Sequence, residues 1–272
     1  MIIDFHTHIF PDKIAESTVR AIEEGAKTPR HSDGTAAGLI ASMERAGVTL
    51  AVNHPVLTRA RQFDHITAFA EEVNAREYPG ARILSFGGVH PADPEAPDHV
   101  DELADRGFLG LKIHPDYQNT FFDDEAYIRI LTRAKARGLI TLTHAGVDAA
   151  YVRGEVHCTP ERVVRVLDAL GGYDRLVLAH IGGEQMSSEV LALLAGKEIY
   201  LDTAYSLHEM SAERFCEIVE RHGDERILFA TDSPWRDPAE ELEKLRRMDL
   251  PAAALDNILY RNAAKLLGLV TI

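Results

Sequence analysis

His6 and His8, in the segment D-F-H-T-H, are separated by one residue. On a β-strand, residues two apart project to the same side, so the pair can present two imidazole nitrogens to one cation. Taken alone the spacing is common, and a pair of surface histidines explains it equally well. His144 in T-H-A-G, His180 in A-H-I-G-G and Asp232 in A-T-D-S-P-W each close a separate short apolar run. Together these residues make a nitrogen-rich donor set with one carboxylate, which suits zinc or another borderline divalent ion better than magnesium or calcium. Lys112 and His114, in G-L-K-I-H-P, share one face of another such run. The dipeptides His54-Pro55, His90-Pro91 and His114-Pro115 end three runs alike, because proline cannot extend a β-ladder. These histidines either line a pocket or hold ligands and loops from behind, the second reading applying equally to His54 and His90.

Such residues act together only if the chain brings them to one place. Eight short apolar runs recur, beginning at Met1, Val48, Ile83, Phe108, Leu139, Arg175, Glu198 and Arg226. Between them lie amphipathic stretches long enough for helices: 36–46, 64–78, 123–137, 160–170, 184–194, 211–222 and 238–248. Thr159-Pro160-Glu161 reads as an N-cap followed by an N1 proline, and Gly47, Gly107, Gly138 and Gly223 fall where helix C-caps are wanted. At about 34 residues per strand–helix unit, the alternation predicts an α/β fold. It is a single (β/α)8 TIM barrel over residues 1–272, with residues 251–267 covering one end. A doubly wound open sheet is the alternative, but the first strand is followed by His6-Thr7-His8 rather than a glycine-rich nucleotide turn. With the strands in register, seven of the 13 histidines fall at their C-terminal ends, the rim where barrel enzymes assemble their sites.

Composition narrows the partners. The chain carries 29 basic and 43 acidic side chains, a formal charge of −14, which disfavours nucleic acid and anionic membrane surfaces. No run approaches the length of a membrane span, and the first residues lack the pattern of a signal peptide. Cys158 and Cys216 match no zinc-knuckle spacing and are too few for a disulfide scaffold. A cytoplasmic location is expected, with a small molecule as partner and a homodimer as the open alternative to a monomer.

The ordered set of H-x-H, a histidine after each of strands five and six, and T-D after strand eight resembles the amidohydrolase superfamily, from Ile2 to Asn262. It is most similar to the amidohydrolase-2 branch, which also contains decarboxylases. The resemblance implies that His6, His8 and Asp232 bind a divalent ion and that His144 does so as well. His180 would bind a second ion in a binuclear arrangement, or contact substrate or water in a mononuclear one. Zinc is the expected ion, with manganese or iron as alternatives, one or two per chain. Binuclear relatives often carry a carbamylated lysine or a glutamate at the end of strand four. Lys112 is therefore a candidate for carbamylation, for contact with an anionic substrate, or for a buried ion pair.

Substrate contacts are expected from Lys112, His114, Tyr117, Arg153, His157 and Trp235, with Gln118, Tyr151, Tyr205 and Arg236 as further wall candidates. For the loop holding Tyr151, Arg153 and His157, plain solvation is the competing reading; for Trp235 it is a hydrophobic plug. His31, His65, His99, His208 and His222 are expected mostly at the surface. The chemistry implied is hydrolysis of an amide, lactone or other ester bond of a small anionic substrate by an ion-activated water. Asp232 would act as proton shuttle and His180 would orient the water. Non-oxidative decarboxylation of an aromatic or unsaturated acid is the nearest alternative. A TatD-like nuclease, whose strand-four glutamate is replaced here by Lys112, and a non-catalytic metal-binding barrel are more distant ones.

Overall fold

The computed structural model describes residues 1–151 and 154–269. Its strands are β1 (Ile3–Thr7), β2 (Leu50–Asn53), β3 (Arg82–Ser85), β4 (Gly87–Gly88), β5 (Gly110–Ile113), β6 (Ile140–Thr143), β7 (Leu176–Leu178), β8 (Tyr200–Asp202) and β9 (Ile227–Leu228). All pair in parallel, in the order β1-β2-β3 and then β4 through β9. β3 and β4 are halves of one barrel strand interrupted at Phe86, whose amide still bonds the Asn53 carbonyl of β2 at 3.0 Å. The last strand returns to the first: the Phe5 amide bonds the Phe229 carbonyl at 2.9 Å and the Asp232 amide bonds the His6 carbonyl at 2.8 Å. The eight-stranded (β/α)8 barrel is closed.

Two apolar layers surround the wall. Alternate strand residues, including Phe5, Val52, Phe86, Leu142, Val177 and Leu228, fill the interior, which is sealed at one end by Ala263, Ala264, Leu266 and Leu267. Their neighbours Ala51, Ile83, Leu111, Leu178, Leu201 and Phe229 face outward against the helices. Burial on both faces explains why the strands read as continuous apolar runs rather than as alternating patterns.

The helices are α1 (Asp12–Ala26), α2 (Ala36–Ala46), α3 (Phe63–Ala75), α4 (Ala96–Asp105), α5 (Glu125–Ala136), α6 (Pro160–Leu170), α7 (Ser187–Leu193), α8 (Ala212–His222), α9 (Pro238–Arg246), α10 (Ala252–Asp256) and α11 (Asn262–Leu266). Thr159 caps α6 by accepting from the Arg162 amide at 3.3 Å, and Gly47 and Gly223 end α2 and α8. Two helices were not singled out by periodicity, α1 and α4. The closing segment, α10 and α11, is one run joined by a π-helical turn, Asn257–Arg261. Among the described residues no helix is long and apolar enough to cross a membrane.

Candidate metal centre

β1 needs an extra residue to deliver its histidines. Its register runs Ile3 to Leu50, Asp4 to Ala51, then Thr7 to Asn53, so three steps along β1 oppose two along β2. Such a bulge reverses the facing of the residues beyond it. Ile3 and Phe5 lie in the barrel interior, and after the bulge His6 and His8 also reach the inner rim, where both line one cavity. The backbone is bent at the other donors too. Asp232 and His180 hold φ of 65° and 58°, a left-handed conformation uncommon for non-glycine residues and concentrated at functional sites.

Three donor atoms converge. His6 Nε2 and His8 Nε2 are 3.1 Å apart, and Asp232 Oδ1 lies 3.5 Å from the first and 3.1 Å from the second. Donors about 2.0–2.1 Å from a tetrahedral zinc sit roughly 3.3 Å from one another, so the spacing fits one ion. Hydrogen bonds behind the rings fix the tautomers. His6 Nδ1 donates to Asp202 at 2.9 Å and His8 Nδ1 donates to the His54 carbonyl at 2.8 Å, leaving both Nε2 lone pairs facing inward. His180 Nδ1 likewise donates to the Ala204 carbonyl at 2.8 Å, while its Nε2 lies 3.0 Å from His144 Nδ1. Burial lowers the pKa of His6, His144 and His180, so these rings stay neutral and able to donate lone pairs. Burial opposes ionisation of Asp232 as well. The neighbouring His8, His180 and Lys112 side chains outweigh it and hold the carboxyl below its usual range.

His144 faces two ways. Its Nε2 is buried without a hydrogen-bond partner, as is Asp116 Oδ2, and these two atoms are 3.9 Å apart. The other Asp116 oxygen takes two bonds from His157, at 3.2 Å from the amide and 2.8 Å from Nδ1. His144, His114 and Asp148 also form a compact group, with His114 Nε2 3.3 Å from Asp148 Oδ2. The His114 ring stacks between those of Tyr117 and His144, at 4.0 and 4.3 Å. Lys112 is buried, its Nζ donating to His6 Nε2 at 3.2 Å. Burial pushes its pKa down to about 8, against the pull of Asp232, Asp202 and Asp148. Among the described residues no carboxylate lies within ion-pair distance of it.

One cavity of about 510 Å³ contains His6, His8, His144, His180, Asp232, Lys112, His114, Tyr117 and Trp235 in its wall. Tyr205 is there too, with Arg236 stacked behind it at 4.3 Å. His157 is not among the described wall residues: its ring is turned into the bond with Asp116. Gln118 is buried as a brace, donating to the carbonyls of Leu57 and Val89. Tyr151 is exposed. Arg153 lies outside the described residues. His222, expected at the surface, is buried and bonds the Ile199 carbonyl at 3.0 Å.

Four acidic residues escaped the sequence reading: Asp202, Asp116, Asp148 and Glu184. Asp202 ends its strand and the rim rule applied to the others would have found it. Glu184 lines the cavity, four residues beyond His180. Burial and the neighbouring Glu209 carboxyl raise its pKa from the ordinary 4.5 to about 9, so it is neutral at pH 7.

Fold and site together define a barrel of the class that gathers cation donors at the C-terminal ends of its strands. The chain belongs to the amidohydrolase family, whose sequence profile matches residues 3–269. No match was found among curated proteins. Of the solved structures that resemble it, 5-carboxyvanillate decarboxylase from Novosphingobium aromaticivorans, complexed with manganese and 4-hydroxy-3-methoxy-5-nitrobenzoic acid, is 16% identical. The match covers 99% of this chain and 96% of that one, at a TM-score of 0.70. The 2,6-dihydroxybenzoate decarboxylase from Rhizobium is 16% identical, with 98% of each chain covered and a TM-score of 0.69. A candidate 2-pyrone-4,6-dicarboxylic acid hydrolase from Pseudomonas putida is 15% identical, covering 100% and 98%, at 0.65. At these identities the likeness establishes a shared fold.

Proposed function

We propose that this chain is a metal-dependent hydrolase of amide, lactone or other ester bonds. The observation that carries the reading is the convergence of His6 Nε2, His8 Nε2 and Asp232 Oδ1 within 3.5 Å, each imidazole fixed by a bond to its far nitrogen. A divalent ion held there, zinc or manganese, would supply a Lewis-acidic centre that acidifies water and polarises a carbonyl. Asp232, ionised and beside both imidazoles, accepts the proton of the attacking water at Oδ and returns it to the leaving group. His180, its Nε2 lone pair turned inward, orients that water. Lys112 is the one lysine in the described wall and supplies a cationic donor for the substrate's oxygen.

Decarboxylation is supported by a different observation, the flat surface of the His114 and Tyr117 rings beside the donors, which suits an aromatic acid. The two chemistries separate in one screen of lactones, amides and esters against aromatic carboxylates, with protein loaded with zinc or manganese and acid and CO₂ release both followed. Ester, amide or lactone turnover that chelation abolishes is expected. CO₂ release alone would overturn hydrolysis. Asp232→Asn should lower turnover by about a thousandfold or more while leaving the far-ultraviolet circular dichroism unchanged; retained activity would remove Asp232 from the proton path.

A further inference from the structure

The cavity extends well past the donor atoms. At about 510 Å³ it holds roughly 17 groups of about 30 Å³, the space of one water, more than a single substituted ring fills. Its far part runs between α1 and α3, walled by Ile14, Thr18 and Ile22 on one side and Ile66 and Phe69 on the other.

α1 is an addition to the barrel repeat, since α2 already connects β1 to β2. Its core-facing residues are Ala15 and Val19, four apart. Ile14, Thr18 and Ile22 form a second stripe with the same spacing, displaced by one residue and so rotated about 100° away from the core. Ile14 is 48% exposed, and neither Ile14 nor Ile22 belongs to the apolar layers of the barrel. The segment after α1 is fastened over the mouth. Thr28 hydrogen-bonds the Tyr205 hydroxyl, and the His31 amide bonds the Pro234 carbonyl at 2.7 Å. Lys112 is the one lysine and no arginine occurs among the described wall residues; the carboxylates there, Asp148, Glu184, Glu209 and Asp232, lie outside α1 and α3, and His65 is the one titratable side chain that α3 adds.

We infer that the substrate is amphipathic, with its scissile polar group at the His6–His8–Asp232 end and an extended alkyl or arylalkyl group lying between α1 and α3. This rests on the ion-dependent reading for the polar end. It replaces a small anion with a molecule whose affinity comes mainly from covering the Ile14 and Ile22 stripe.

Straight-chain hydroxamates from acetohydroxamate to decanohydroxamate, titrated calorimetrically into zinc-loaded protein, test it. Affinity is expected to rise about three- to fourfold per methylene until the arm is filled, then to level off. Ile14→Asp with Ile22→Asp should flatten the series and leave acetohydroxamate affinity within twofold. Ile22→Trp, which shortens the arm without charging it, should bring the plateau at a shorter chain and covers the case in which the aspartates disturb α1. A flat wild-type series, or a steep one unmoved by either change, would overturn the inference. So would sedimentation showing that the aspartates split a dimer while the series stays steep. If no hydroxamate binds with zinc or without it, the ion reading fails by itself. The arm is then read with straight-chain carboxylates on metal-free protein, where length dependence supports it and its absence overturns it.

Discussion

Whether an imidazole can hold a cation depends on which of its nitrogens is already engaged. Asp202 and the His54 carbonyl settle this for His6 and His8, and the Ala204 carbonyl settles it for His180. Asp202→Ala should therefore weaken zinc binding about ten- to a hundredfold, measured by competition with a chromophoric chelator; unchanged affinity would mean that His6 is held by packing alone. Glu184 gives a pH signature. The folded protein keeps this proton up to about pH 9, whereas the unfolded chain releases it near the ordinary 4.5. The folded state binds more protons throughout that window, so this group's contribution to stability falls as pH rises. Glu184→Gln should remove that slope, gaining a few degrees in melting temperature relative to wild type between about pH 5 and pH 8. Identical slopes in thermal melts would contradict a neutral Glu184. The donors were legible in the sequence because histidine and aspartate are conspicuous at strand ends. The pairing of His157 with Asp116 was not, because it links the loops after two different strands, a neighbourhood that spacing does not encode.

Elements explain how those side chains are aimed. The strand count, the α2 and α6 boundaries and the capping of α6 by Thr159 all follow from local patterns that tertiary packing did not override. The bulge in β1 does not. H-x-H predicts that both histidines share a face, and they do, but the face is set by the extra residue after Asp4, without which Phe5's side of the strand would remain inside. α1 was missed although Ile14, Ala15, Thr18, Val19 and Ile22 recur at helical spacing: a strand–helix repeat calls for one helix between β1 and β2, and α2 fills that place. The loop after β6 has a similar local demand. Gly146 holds φ of 85°, and a Cβ there would lie 2.0 Å from the Glu184 amide nitrogen. Gly146→Ala should cost about 2 kcal/mol or more, read from denaturant unfolding, because the strands' loops at Ala145 and Glu184 would have to separate. A cost near zero would show that these loops move apart freely.

At the scale of the whole molecule, a charge of −14 encloses a cavity whose inner end collects neutral imidazoles and one lysine. A cation binding only the folded barrel stabilises it by mass action, about 2.7 kcal/mol at a hundredfold excess over its dissociation constant. Zinc or manganese should thus raise the melting temperature by roughly 5 °C or more, and a chelator should reverse the shift; no shift with either ion would count against a folded-state site. The barrel's closure adds a kinetic consequence. His6 lies on the first strand and Asp232 just beyond the last, and these two segments meet where the Thr231 amide donates to Asp4, 227 residues away. An ion shared by His6, His8 and Asp232 would be a removable cross-link across the longest loop in the chain, comparable in placement to a disulfide between the ends. Because that junction joins the most distant segments, the clasp should retard unfolding far more than it hastens folding, and its release should unzip the barrel from the seam outward.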